Sequence, residues 1–225
     1  MKLLEMTTFE EIVSAASDDI GITLSTRAMD LLSSYYEELL FWNDKMSLVS
    51  IKSSLDIPKH VIDSLTVLKF IPSHNSTLLD IGTGAGFPGI PLKVTMDSLF
   101  VALLDSSRKK TSFLKYVIRK LKLKDISVIH DRAESLIHEK RFTGGFDVVI
   151  SKAAFKISQL LLMGEPFLSS GGILIAMKGD HADEELAMAA DTIKKTGLTL
   201  KDYDEITLPV TGETRIILCF HRNMS

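Results

Sequence analysis

Leu78-Leu79-Asp80-Ile81-Gly82-Thr83-Gly84-Ala85-Gly86-Phe87-Pro88-Gly89 is the stretch on which the fold turns. A short apolar run leads into three glycines spaced two apart, and a helix-compatible segment follows. Glycines at such a junction let the backbone turn sharply and approach a ligand at the carboxyl end of a sheet. The plainer alternative is a tight turn that only packs helix on strand. Pro88 and Pro91 suit the first turn of the next helix, where a missing N–H costs little.

On either side of the loop the texture differs. From residue 77 onward, short apolar runs alternate with amphipathic segments, the pattern of βα units on a parallel sheet. Strands are expected at 77–81, 99–104, 127–130, 148–150 and 173–177. Helices are expected after Pro88, over 109–123, near 133–138 and around 157–167. A further helix over 183–195 precedes strands at 206–209 and 215–220, whose short Gly212-containing link requires antiparallel pairing. An α/β sheet of five parallel units ending in an antiparallel hairpin is the arrangement of class I, Rossmann-like S-adenosylmethionine-dependent methyltransferases. Upstream the chain reads as helical. Phe9, Ile12, Val13, Ala16 and Ile20 recur at helical spacing, Ser25 or Thr26 can cap a second helix carrying Leu31, Leu32, Tyr35, Leu39 and Trp42, and a loop through Pro58 leads to a third helix from His60 to Ile71. The organisation expected is a helical N-terminal extension, 1–70, packed on a Rossmann-like domain, 71–225.

The 225 residues, 45% hydrophobic and 24% charged with net charge −3, belong to the ordinary globular class. The lone Cys219 can form neither an intramolecular disulfide nor a thiolate metal cluster. The first residues lack the apolar core of a secretory signal, so a cytoplasmic protein, without membrane attachment or metal, is expected. The bulk charge conceals an asymmetry. Residues 1–44 carry nine acids against Lys2 and Arg27, a net of −7, which leaves +4 for the remainder. Within that remainder, residues 106–124 hold eight basic side chains and no acid, either a solvated face or a polyanion contact.

The glycine spacing and its flanks favour one ligand. A dinucleotide fingerprint, G-x-G-x-x-G, would need glycine where Phe87 stands, and a carboxylate at Asp80 suits an ammonium-bearing ligand better than a pyrophosphate. Both details favour S-adenosylmethionine over NAD. Asp105, at the end of the second strand, can accept hydrogen bonds from both ribose hydroxyls; its alternative is a charge at a helix start. Ala133 and Glu134 occupy the turn after the third strand, where the adenine would lie, although Glu134 also suits a helix N-terminus.

Taken together, 80–92, 103–114, Arg132-Ala133-Glu134-Ser135, 146–153, 171–179, Phe41-Trp42-Asn43-Asp44-Lys45 and His60-Val61-Ile62-Asp63-Ser64-Leu65 resemble the RsmG/GidB family of bacterial 16S rRNA guanine-N7 methyltransferases. The resemblance implies methyl transfer from S-adenosylmethionine to N7 of one guanine, with 16S rRNA or the small ribosomal subunit as partner and a monomer as the expected state. It implies cofactor contacts at Gly82, Phe87, Ala133, Glu134 and Lys152, beside those read from Asp80, Gly84, Gly86 and Asp105. Lys152 stands where the family has arginine, which keeps the charge but loses the planar fork. Ser47-Leu48-Val49 and Lys59-His60 replace its Asn-Leu-Thr and Arg-His.

Marks of other base methyltransferases are missing. Cys219 lies in an apolar C-terminal run where a cysteine is more often a core residue than a nucleophile. Ser151-Lys152-Ala153-Ala154 replaces the Asn/Asp-Pro-Pro-aromatic segment of exocyclic-amine enzymes. Guanine N7 presents a lone pair at the base edge, so no general acid or base is needed and positioning can supply the catalysis. Lys152 and Lys178 are positioning candidates for guanine O6 or a phosphate, and His60 with Asp63 could line the cleft. Arg108, Lys109, Lys110, Arg119 and Lys120 are expected to bind rRNA phosphates. Two alternatives stay open: a nucleotide-dependent oxidoreductase, and a non-catalytic protein that binds S-adenosylmethionine or the ribosome.

Overall fold

The structure, a computed structural model, describes residues 8–72 and 75–223. Lys2 and Glu5 of the acidic stretch, and the first seven residues of the N-terminal leader reading, lie outside the described residues. Seven strands form one sheet: β1 (Thr77–Ile81), β2 (Phe100–Asp105), β3 (Ile126–His130), β4 (Phe146–Lys152), β5 (Leu168–Lys178), β6 (Thr199–Thr207) and β7 (Thr214–His221). Their order is β3-β2-β1-β4-β5-β7-β6. The first five are parallel, and β7 inserts antiparallel between β5 and β6. Strand order reverses between β1 and its neighbours β2 and β4, which places a crevice outside their carboxyl ends.

Successive side chains point to opposite faces of a strand, and the two cores follow that parity. Leu78, Val101, Leu103, Val148, Ile150, Ile175, Met177 and Ile217 lie on one face. Leu79, Ile81, Ala102, Leu104, Val149, Leu174, Ala176 and Leu218 lie on the other. The first face is covered by α1 (Phe9–Asp19), α2 (Thr26–Met46), α3 (Asp56–Leu65), α4 (Gly89–Thr95) and α5 (Arg108–Lys120). The second is covered by α6 (Ala133–Leu136), α7 (Ile157–Gly164), α8 (Ala182–Met188) and α9 (Ala190–Thr196).

Helices α1 and α2 start on side-chain caps. Thr8 and Glu11 form a reciprocal capping box at α1, and Ser25 accepts the Ala28 amide at α2. Leu32, Tyr35 and Leu39 of α2 are wholly buried. Tyr35 extends its hydroxyl 2.7 Å to the Ala85 carbonyl, tying α2 to the glycine loop. Three expectations are corrected. Pro58 lies inside the first turn of α3 rather than in a loop, because a proline there forfeits no intrahelical bond. The helix expected over 183–195 is two helices parted at Ala189. Strand β6 begins seven residues earlier than expected, since its exposed polar alternation 199–205 hides a strand that only β7 stabilises.

Candidate functional site

A cleft of about 570 Å³ opens at the carboxyl ends of β1, β2 and β3, within the range of small-molecule sites. Its lining includes Gly82, Asp105, Ser107, Lys110, Ala133, Glu134 and Phe155. Asp105 closes β2 at the head of α5. One carboxylate oxygen accepts the Gly84 amide at 2.9 Å and the other the Ser107 amide at 2.8 Å. It thus fixes the residue before α5 and fastens the glycine loop, while a carboxylate has about four lone-pair sites, so acceptor capacity remains for a ligand. Lys110 stands 4.0 Å from the same carboxylate. Ala133 is buried and Glu134 exposed, at the first turn of α6 on the opposite wall.

The three glycines differ in purpose. A Cβ on Gly84, whose φ is +64°, would meet nothing nearer than 4.0 Å. A Cβ on Gly86 would lie 2.6 Å from Ile90 and 3.0 Å from Leu114, so this glycine permits helix packing and turns away from the cleft. Against Gly82 the Ala154 methyl and the Phe155 ring pack at 2.9 and 3.0 Å from a Cβ position, bringing the segment after β4 onto the loop.

Gly84 and Gly86 do not line this cleft, and three further expected cofactor residues lie outside it. Asp80 is fully buried, and its Oδ2 accepts the Thr83 hydroxyl at 2.6 Å and the Gly89 amide at 2.9 Å. Burial pushes its carboxyl up to about 7. It braces the loop from beneath instead of facing a ligand. Phe87 is 6% exposed and packs between Tyr35 and His60. Lys152 falls on the first face, with Val148 and Ile150, and so points toward α3. Its Nζ lies 3.0 Å from His60 Nδ1, 3.4 Å from Asp63 and 5.4 Å from the Phe87 ring centre. Burial pulls the lysine below its ordinary value. The same burial, with Lys152 and Lys59 nearby, lowers His60 to about 3 and keeps it neutral. Asp63, 1% exposed, also receives Arg215 Nε at 2.6 Å. His60 and Asp63 therefore join a buried ionic cluster beneath the loop, and neither lines the cleft.

Lys178 is corrected in the opposite sense. It shares a face with Leu174 and Ala176 and points toward α8. Its ammonium donates to the Phe155 carbonyl and, at 2.7 Å, to Glu185. Its side chain is buried, so it is not free for a phosphate. Of the basic helix, Arg108, Lys109, Arg119 and Lys120 are exposed, although Lys120 pairs with Glu38 at 3.6 Å; Lys110 lines the cleft. Cys219 is buried and its thiol is pushed up to about 12, as befits a core residue. Among the described residues no helix is long and apolar enough to cross a membrane, and no group of three or more His, Cys, Asp or Glu is placed to hold a metal ion.

Ser107, Asp131, Arg132 and Phe155 line the cleft without having been singled out, and Lys110, expected as an rRNA contact, lines it too. The run between Asp105 and the helix, and the turn before Ala133, held the only available signal. Tyr35 and Arg215 gave none, being a helix-face aromatic and a strand residue far from the motifs.

The strand order and a cleft over the glycine loop define a Rossmann-like methyltransferase fold. The same fold occurs in a SAM-dependent methyltransferase from Aquifex aeolicus (TM-score 0.60, 16% identity, 79% of this chain and 97% of that one) and in a methyltransferase from Pyrococcus furiosus (TM-score 0.61, 16% identity, 85% and 98%). The chain belongs to the GidB family, rRNA small subunit methyltransferase G, whose model matches residues 28–210. It is 42% identical over 212 residues to the ribosomal RNA small subunit methyltransferase G of Syntrophus aciditrophicus, covering 93% of this chain and 88% of the relative. The protein of the same name from Bacillus velezensis is 36% identical over 218 residues, covering 96% and 91%.

Proposed function

We propose that this protein transfers the methyl group of S-adenosylmethionine to N7 of a guanine in small-subunit rRNA, acting in the cytoplasm as a monomer. We read the chain as a helical extension, 1–70, laid on a catalytic fold, 71–225. The observation that carries the reading is the cleft at the switch point, where Asp105 keeps acceptor sites beside the open approach at Gly84. That donor and acceptor set fits a nucleoside: hydroxyls to Asp105, and an adenine ring against the buried Ala133 with polar partners around Glu134.

When bound, S-adenosylmethionine supplies an electrophilic sulfonium methyl. The chain's own residues bind and orient. The Gly82–Gly84 turn admits close approach, Asp105 holds sugar hydroxyls, and Phe155 with Ala154 closes one wall. No residue of the cleft has to remove a proton, because the N7 lone pair is already free, and alignment of the reacting atoms provides the acceleration. Lys152 acts by holding Phe87 and α3 rather than by touching the cofactor. Exposed Arg108, Lys109 and Arg119, with Lys110 at the cleft rim, take rRNA phosphates. Incubation with labelled S-adenosylmethionine and undermethylated small subunits should place label on one guanine N7, read by mass spectrometry of the digested rRNA. Label on another atom would remove the N7 assignment, and absence of transfer to any rRNA would remove the whole reading.

A further inference from the structure

The segment joining β4 to α7 forms a wall of the cleft, since Ala154 and Phe155 line it and pack onto Gly82. Little regular structure holds this wall. Ala153 has φ +54°, a conformation that disfavours non-glycine residues, and its amide donates to the Met177 carbonyl at 3.1 Å. Gln159 Oε1 accepts the Lys156 amide at 3.4 Å, and two further anchors come from side chains outside the cleft. The Lys178 ammonium donates to the Phe155 carbonyl, and Glu185 Oε2 accepts both Lys178 Nζ at 2.7 Å and the Ile157 amide at 3.0 Å. The pair grips the chain on both sides of Lys156, one point from the end of β5 and one from α8. Burial pushes the Glu185 carboxyl up, but the bonds from Lys178 and the Ile157 amide outweigh it and leave it below its ordinary value.

We propose that Lys178 and Glu185 form a latch that sets the position of the 153–156 segment and, through Phe155, the shape of the cofactor cleft. Lys178 is thus a positioning residue for cofactor binding that touches neither cofactor nor rRNA. The inference rests on the S-adenosylmethionine reading. Its physical basis is the loss of a half-buried ion pair: without the lysine, the Phe155 carbonyl loses its donor and the Glu185 carboxylate keeps only the Ile157 amide.

The test is calorimetric titration of S-adenosylmethionine into wild type, Lys178→Met and Glu185→Gln, with steady-state rates on small subunits. If wild type binds no S-adenosylmethionine, the underlying reading fails rather than the latch. Given wild-type binding, Lys178→Met should raise Kd and the cofactor KM by about tenfold while the KM for subunits stays within about twofold. Glu185→Gln preserves shape and should raise the same Kd by about threefold, the double variant costing no more than Lys178→Met alone because the two act as one unit. An unchanged cofactor Kd in Lys178→Met overturns the latch. A raised subunit KM with a salt slope smaller by about 1 overturns it too, because that would make Lys178 a phosphate contact. Should Lys178→Met fail to fold, an unchanged Kd in Glu185→Gln overturns the proposal.

Discussion

Gly84 and Gly86 share one motif and fail in different ways. An aspartate at Gly84 would project into open space beside Lys110 and Asp105, so Gly84→Asp should abolish S-adenosylmethionine binding in calorimetry while the protein keeps its fold by circular dichroism. Gly86→Ala should do the reverse. Its methyl collides with Ile90 and Leu114, and overpacking of this kind costs about 1–3 kcal/mol, or roughly 2–4 °C in Tm for each kcal/mol at this chain length. His60 carries a pH signature. Its value of about 3 in the fold, against 6.5 unperturbed, means the unfolded chain binds the extra proton between those limits. The stability it contributes is complete above about 6.5 and lost as pH falls toward 3. Asp80, raised from 3.8 to about 7, has the opposite sign: its contribution is present at low pH and lost as pH rises through 7. Calorimetric Tm profiles should therefore show His60→Gln flattening the loss between pH 7 and 5, and Asp80→Asn gaining relative to wild type at pH 8 but not at pH 4. Asp105 was placed at the sheet's rim by spacing, since it ends a strand, whereas Ala133 and Glu134 came from the family resemblance. The facing of Asp80 was not legible, since a carboxylate two residues before a glycine turn can point into the ligand or under the loop, and only Thr83 and Gly89 decide which.

The basic helix α5 has its apolar side, Phe113, Leu114 and Val117, in the core and most of its cations outside. Each exposed cation that meets a phosphate should lower the magnitude of the salt slope of rRNA binding by about 1 when replaced by alanine. Filter binding of Arg108→Ala, Lys109→Ala and Arg119→Ala across a salt series checks this, and Lys120→Ala, already engaged by Glu38, should change the slope least. Elements with a one-sided apolar pattern, such as α2 and α5, were readable close to their ends. Strands β4 and β5 hid their facing. Val148-Val149-Ile150 and Leu174-Ile175-Ala176-Met177 are apolar at every position because helices cover both faces. With no alternation to read, nothing local could say that Lys152 turns to α3 and Lys178 to α8, although a one-residue difference in parity separates them.

Across the molecule, one apolar core runs without interruption from Phe9 and Tyr35 of the upstream helices to Ile217 and Cys219 of β7. The chain should therefore unfold as a unit. Its single tryptophan, Trp42, lies in α2 against Tyr116 of α5, so its fluorescence reports on the upstream helices while far-ultraviolet circular dichroism reports on the whole. Urea transitions by the two probes should coincide, and a fluorescence midpoint lying earlier would mean that the helices detach first. The βα alternation made the parallel sheet legible as a whole, whereas the packing partner of the upstream helices was not, because an amphipathic stripe says that a face is buried but not against what. The order of the sheet also has a consequence in time. Strand β6 has a single neighbour, β7, which follows it in the chain. On a translating ribosome the parallel strands β1 to β5 can assemble while β6 waits unpaired and the edge of β5 stays open. Sheet closure is thus deferred to the synthesis of residues 214–221, and until then the β5 edge presents unpaired backbone groups.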